Sequence, residues 1–265
     1  YEILRCLVGS EMCIRDSTNV ILSEHGQRMF HDLTHASGFY REYFKQFKGM
    51  FDRIFMMGVS PVTLDDLSSG YNIDWNISVD PRFNVMMGFD ETDVREMFRY
   101  YQQNDMLKGD AEAMITEMKP WYDNYCFARE SLGDDRIFNC DMTLYYLRWQ
   151  VDFHCSPVEM ADKNIRTDYS KLKMLARIDR DSVQEENRMG TIEEIAAKGE
   201  ILVDLHTSFP AERVTDIDNF RSLLYYYGLL TMCGTRGDRL RMCIPNNCVR
   251  EQYFGFLREV GRSIT

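Results

Sequence analysis

Asp110 precedes Glu117-Met118-Lys119, a carboxylate followed by a Glu-x-Lys pair of the kind that holds Mg2+ in nucleases. That chemistry needs the carboxylates grouped around the metal on neighbouring strands. Here they fall in a helical pattern that ends at Pro120, so we read the spacing as chance. His31 and His35 share one helix face, with His25 before them. The glutamate of an H-E-x-x-H motif and a third ligand are both absent, which reads as packing or surface rather than metal binding. No G-x-S-x-G provides a nucleophile elbow. A phosphate-cradling G-x-x-x-x-G-K-[ST] loop is also missing, because no Gly-Lys dipeptide occurs anywhere in the 265 residues. Ile201-Leu-Val-Asp204 places an acid after an apolar run, as a Mg2+-holding strand would, but with no such loop beside it we read helix or core. Arg236, Arg239 and Arg241 crowd a hairpin-compatible loop, where they could touch phosphates or simply form a solvated turn. The eight cysteines form no C-x-x-C pair, and the thiols are read as small apolar core residues.

Whatever positions these groups is a sizeable folded chain. At 45% apolar, 28% charged and 13% aromatic with only six prolines, the composition is that of a globular protein of one large or two small domains. A net charge of −11 argues against a surface that grips nucleic acid throughout. Ile54–Val59, the longest apolar run, is far short of the ~18–20 residues of a membrane span, so no membrane partner is expected. Tyr1–Ser17 has no basic segment, no apolar core and no cleavage site, so it is no secretory signal, and a reducing cytoplasm is the expected setting. The same segment resembles a translated sequencing adapter, which would place the authentic protein from about Thr18 onward.

Apolar residues at three-to-four spacing predict a helix over 19–48. Ile54-Phe-Met-Met-Gly-Val59 predicts a strand buried on both faces, and residues 68–87 read as loop. Asp90-Glu-Thr-Asp93 loads the first turn of a helix with acid, and a second helix covers about 110–119. Asp141 is expected to cap the next helix, and 177–200 reads as a charged helical stretch. Asn219–Tyr227 predicts a helix stopped by Gly228, followed by strands over 229–233 and 240–244 around a loop, Gly234–Arg239. An amphipathic helix closes the pattern at 247–260.

Three segments together carry a resemblance. Asp52-Arg-Ile-Phe-Met-Met-Gly-Val-Ser-Pro-Val-Thr-Leu-Asp-Asp-Leu-Ser-Ser-Gly-Tyr-Asn-Ile73, Met118-Lys-Pro-Trp-Tyr-Asp-Asn-Tyr-Cys-Phe127 and Asn164-Ile-Arg-Thr-Asp-Tyr-Ser-Lys-Leu172 are similar to the signature of bacterial AAA-ATPase-like proteins. The resemblance spans nearly all of 18–262. It implies a P-loop ATPase core, a helical and winged-helix-like extension and, often, a PD-(D/E)XK nuclease-like domain, with ATP and Mg2+ as cofactors of the intact protein. Ser60 and Thr63 match the end of the core strand, where a hydroxyl would sense the γ-phosphate; they equally suit a helix N-cap with Pro61 at the first turn. Asp65, Asp66, Trp121, Tyr122, Asp123, Tyr125, Arg166 and Asp168 fall on the family motifs without an assigned role.

The resulting expectation is an α/β remnant of a P-loop core at 18–80, a helical lid-like region at 81–154 and a helical, winged-helix-like domain with a small β-hairpin at 155–265. In function it would be part of a nucleotide-dependent switch lacking its phosphate-binding segments, inactive alone and prone to self-associate through its cut core. The alternatives are a winged-helix module contacting DNA through Arg236 and Arg239, or a protein-interaction module using Trp121, Tyr122, Tyr125 and Tyr225–Tyr227.

Overall fold

The computed structural model describes residues 75–134, 136–161, 169–176, 182–209, 213–214 and 216–261. They form a helix-rich architecture with one small antiparallel sheet. In chain order the elements are α1 (Glu91–Gln103), α2 (Ala111–Tyr122), α3 (Cys140–Phe153), α4 (Tyr169–Ala176), α5 (Ser182–Lys198), β1 (Glu200–Val203), α6 (Ile217–Tyr226), β2 (Thr231–Arg236), β3 (Arg239–Cys243) and α7 (Asn247–Glu259). No helix among the described residues is long and apolar enough to cross a membrane. The expected core strand at 54–59, the helix at 19–48 and the α/β remnant at 18–80 lie almost wholly outside the described residues.

The chain divides into two compact units. The larger comprises Ile77–Lys173, Thr191–Val203 and Leu229–Thr265. Its helical core joins Val94 and Phe98 of α1, Ile115, Met118 and Tyr122 of α2, and Met142, Tyr146 and Leu147 of α3. The acid-rich start of α1 is a full capping box: Asp90 accepts from the Asp93 amide and Asp93 accepts from the Asp90 amide. Asn139, not Asp141, caps α3, accepting from the Met142 amide at 3.1 Å. Asp141 instead sits in the first turn, where the macrodipole favours its charge. α2 runs past its expected end at Pro120 to Tyr122. Proline in this last turn gives up one internal hydrogen bond, and the helix still closes through the Asp123 amide to the Lys119 carbonyl at 3.1 Å.

The sheet has the order β1-β3-β2 with both pairings antiparallel. Of the reading of Ile201–Asp204 as helix or core, β1 overturns the helix, while Ile201 and Val203 are indeed core residues. Gly199, at φ +75, ends α5 and lets the chain leave in an extended direction, so that Ile201 and Val203 bury one face. The hairpin is also tighter than the expected loop. β2 and β3 extend until Arg236 opposes Arg239, leaving Gly237-Asp238 as the turn, with Gly237 at φ +62.

Described residues of the second unit fall within 174–190 and 204–228 and at 75–76. Here α6 buries Phe220, Leu223 and Leu224. His206 pins the segment after β1 to α6, its amide donating to Ser222 Oγ at 3.0 Å and its Nδ1 lying 2.5 Å from Asn219 Oδ1.

Candidate functional site

The hairpin gathers the most chemistry onto one surface. Arg236 and Arg239 are paired across its tip and exposed. Strand alternation puts Met232 and Met242 together on the buried face, and so turns Cys243 and Arg241 to the opposite one. Between Met232 and Gly234 the register shifts by a β-bulge, which leaves Cys233 as the extra residue on that second face. At Gly234 a Cβ would meet the Arg241 side chain at 3.6–3.9 Å, an ordinary contact, so the guanidinium lies directly over this stretch of backbone. Glu200, opposite Cys243 on β1, forms an ion pair with Arg241, its carboxylate 3.2 Å from Nε. Arg136 reaches the outer edge of β2, where its Nη1 donates to the Met232 carbonyl at 3.1 Å.

Cys233 and Cys243 are both half-buried free thiols. Cys233 Sγ lies 3.2 Å from the Arg241 carbonyl, a contact that favours the thiol form. Against it, the Cys243 thiol donates to Cys233 and the Arg241 guanidinium lies beside it, and these hold Cys233 well below the usual thiol range. Donors aimed at a charge outweigh a single weak S–H bond. The same contact pushes Cys243 sharply upward, since its proton is the one being shared. This pairing was missed from sequence, where each cysteine read as core. The available signal was two cysteines placed on either side of one hairpin loop.

The motif segment Met118–Phe127 is the mount for the hairpin rather than a contact surface. Tyr122 is fully buried, and its hydroxyl donates to the Met160 carbonyl at 2.7 Å. Trp121 packs partly buried against the same core. Asp123 is half-buried, its carboxyl accepting the Asn124 amide at 2.5 Å and its carbonyl accepting from Asn246 at 3.3 Å. Burial holds the Asp123 carboxyl above its ordinary range. Asn124 takes φ +88, a conformation asparagine tolerates, and its side chain donates to the Pro245 carbonyl at 2.8 Å. Tyr125 exchanges backbone hydrogen bonds with Ile137, and burial pushes its hydroxyl up to about 12. Cys126 then meets β2, its amide donating to Thr231 Oγ1 at 2.8 Å and the hydroxyl donating back to its carbonyl at 3.2 Å.

With Tyr122, Tyr125 and Tyr225 buried, the aromatic interaction surface weighed as an alternative from sequence loses half of its members to the core. The Asp110–Glu117–Lys119 spacing is likewise dispersed. Asp110 caps α2, Lys119 pairs with Glu91, and Glu117 accepts from Tyr146 Oη at 2.5 Å and Ser156 Oγ at 2.6 Å. Among the described residues no group of three or more His, Cys, Asp or Glu could hold a metal ion. Ser60, Thr63, Asp65, Asp66, Arg166 and Asp168, together with His25, His31 and His35, lie outside the described residues. No family model, curated protein or solved structure matches this chain.

Proposed function

We propose that this chain is part of a P-loop ATPase of the AAA-ATPase-like kind, a nucleotide-dependent switch, and that its hairpin unit serves partner contact rather than hydrolysis. The observation that carries the reading is the threading of the sheet. Helix, β1, helix, β2, turn and β3 follow in that order while the strands lie β1-β3-β2, a strand order compatible with the winged-helix-like extension that the resemblance implies beside an ATPase core. The residues present do not themselves fit Mg-ATP, because no Gly-Lys pair is available to cradle and neutralise phosphates. No hydrolytic step is therefore assigned to them. Sequencing the source locus across Ser17–Thr18 tests the proposal. A G-x-x-x-x-G-K-[ST] motif in frame upstream is expected, with no saturable Mg-ATP binding by the present chain in titration calorimetry. A frame that continues upstream without the motif refutes it.

One observation favours a second reading, contact with nucleic acid through the wing: Arg236 and Arg239 are held side by side at its tip. The preceding helix gives little help, since α6 is largely buried and carries acid in its first turn. Duplex binding followed by fluorescence anisotropy should weaken on R236A/R239A, with the log K against log salt slope falling by about 2. An unchanged slope removes this reading.

A further inference from the structure

We infer that Cys233 and Cys243 form a peroxide-reactive dithiol, with Cys233 as the attacking sulfur and Cys243 as the resolving one, closing to a reversible disulfide across the β2–β3 hairpin. Four features of the fold place the chemistry here. Both thiols lie on one face of the hairpin, Cys243 by strand alternation and Cys233 because the bulge at 232–234 turns it there. The two cysteines are diagonal neighbours across the strands, Cys243 facing Thr231 and Cys233 two residues further along β2. The Arg241 guanidinium lies over Gly234 beside them, with Glu200 fixing it from β1 and Arg136 completing the charged surroundings. Both thiols are only half-buried, so a small oxidant can reach them.

The division of labour follows from those contacts. Cys233 carries the stabilised thiolate, the form that attacks, while Cys243 keeps its proton. With hydrogen peroxide as oxidant, the Cys233 thiolate bonds to one peroxide oxygen and the O–O bond breaks. The departing hydroxide takes a proton to become water, leaving a sulfenic acid on Cys233; sulfur has lost two electrons and the peroxide has gained them. The Cys243 sulfur then attacks the Cys233 sulfur. The S–O bond breaks, and the hydroxide leaves as water with the Cys243 proton. Overall, two thiols and one hydrogen peroxide give a disulfide and two waters. The cysteines are diagonal neighbours rather than directly opposed, since Thr231 is the partner of Cys243. A disulfide on this half-exposed face is open to a small thiol, which reduces it again by exchange.

The reduced 265-residue chain, exposed to equimolar hydrogen peroxide, blocked with N-ethylmaleimide and digested with trypsin, tests this directly. Cleavage at Arg236, Arg239 and Arg241 separates the two cysteines unless a disulfide joins them. The expected product is the Cys233 peptide linked to the Met242–Arg250 peptide, with fragmentation assigning the bond to Cys243 rather than to buried Cys248. Cys243→Ser should leave a sulfenic acid on Cys233 that dimedone captures, and Cys233→Ser should leave Cys243 reduced. At pH 5.5, iodoacetamide should modify Cys233 about tenfold faster than exposed Cys155, the gain in thiolate fraction being partly offset by the lower nucleophilicity of a more acidic thiol. A linked peptide that maps to Cys248, oxidation confined to Cys155, or a Cys243→Ser chain that captures no dimedone overturns the inference.

Discussion

Gly88→Ala tests the packing that sets the hairpin's mount in place. A methyl group on Gly88 would stand 1.8 Å from Ile137 Cγ2 and 2.9 Å from the Phe138 carbonyl oxygen. Its φ is not positive, so the cost is contact rather than backbone conformation. Neither neighbour can yield easily. Ile137 and Phe138 are almost wholly buried, and Phe138 exchanges backbone hydrogen bonds with Phe89 at 2.8 and 3.2 Å. Overpacking of this kind costs about 1–3 kcal/mol, and a clash that includes a tethered carbonyl belongs at the upper end. At roughly 2–4 °C per kcal/mol for a chain near this size, thermal unfolding followed by circular dichroism should fall by about 6–12 °C. Ile137→Ala alone should cost about 2–5 kcal/mol through its cavity. The double variant should recover at least about 1 kcal/mol of the summed loss, because the truncated side chain clears the 1.8 Å contact and leaves only the milder ones to the Phe138 carbonyl and to Cβ of residue 137 at 3.2 Å. A Gly88→Ala melting point within about 1 °C of the parent, or strict additivity in the double variant, would refute this account of the site.

Three more outcomes can be measured on the same footing. Tyr146→Phe keeps the ring but removes the donor to Glu117 and the acceptor of Gln150 Nε2 at 3.1 Å, and should cost about 1.5–3 kcal/mol by urea unfolding. Asn84→Ala orphans the amides of Phe127 and Ala128, which Asn84 Oδ1 accepts at 2.7 and 3.1 Å; about 2 kcal/mol or more should be lost, and amide exchange at both residues should accelerate. Asp123 is held above its ordinary value of 3.8 by burial, so its protonated form favours the fold and that support disappears as pH rises through the folded value. Asp123→Asn should therefore melt higher than the parent at pH 7, with the difference vanishing below about pH 4; equal melting points at pH 7 would count against it.

Local signals carried the helices well. The acid cluster at Asp90–Asp93 became a capping box, and Asn247–Glu259 lies within one residue of the amphipathic pattern at 247–260. The errors came where a distant partner decides. Ile201–Val203 has too few residues to show a period, and only pairing with β3 makes it a strand. Pro120 marked a helix end by propensity, but the turn after it was held by packing of Trp121 and Tyr122 on the core. For the hairpin, the turn residues Gly237-Asp238 were inside the expected loop, yet the bulge at Cys233 depends on how two strands register and leaves no mark in composition. That is why the arginines at the tip were legible and the thiol pair below them was not.

The seat of Cys126 against β2 also governs what the sheet can recruit. On the side of β2 away from β3, the Met232 amide already donates to the Cys126 carbonyl at 3.3 Å, and the Met232 carbonyl already accepts from Arg136. An incoming strand would have to evict both before it could pair at Met232, which blunts this part of the border against strand addition. Recognition at this part of the border must then be written in side chains, and the backbone is left out of the conversation.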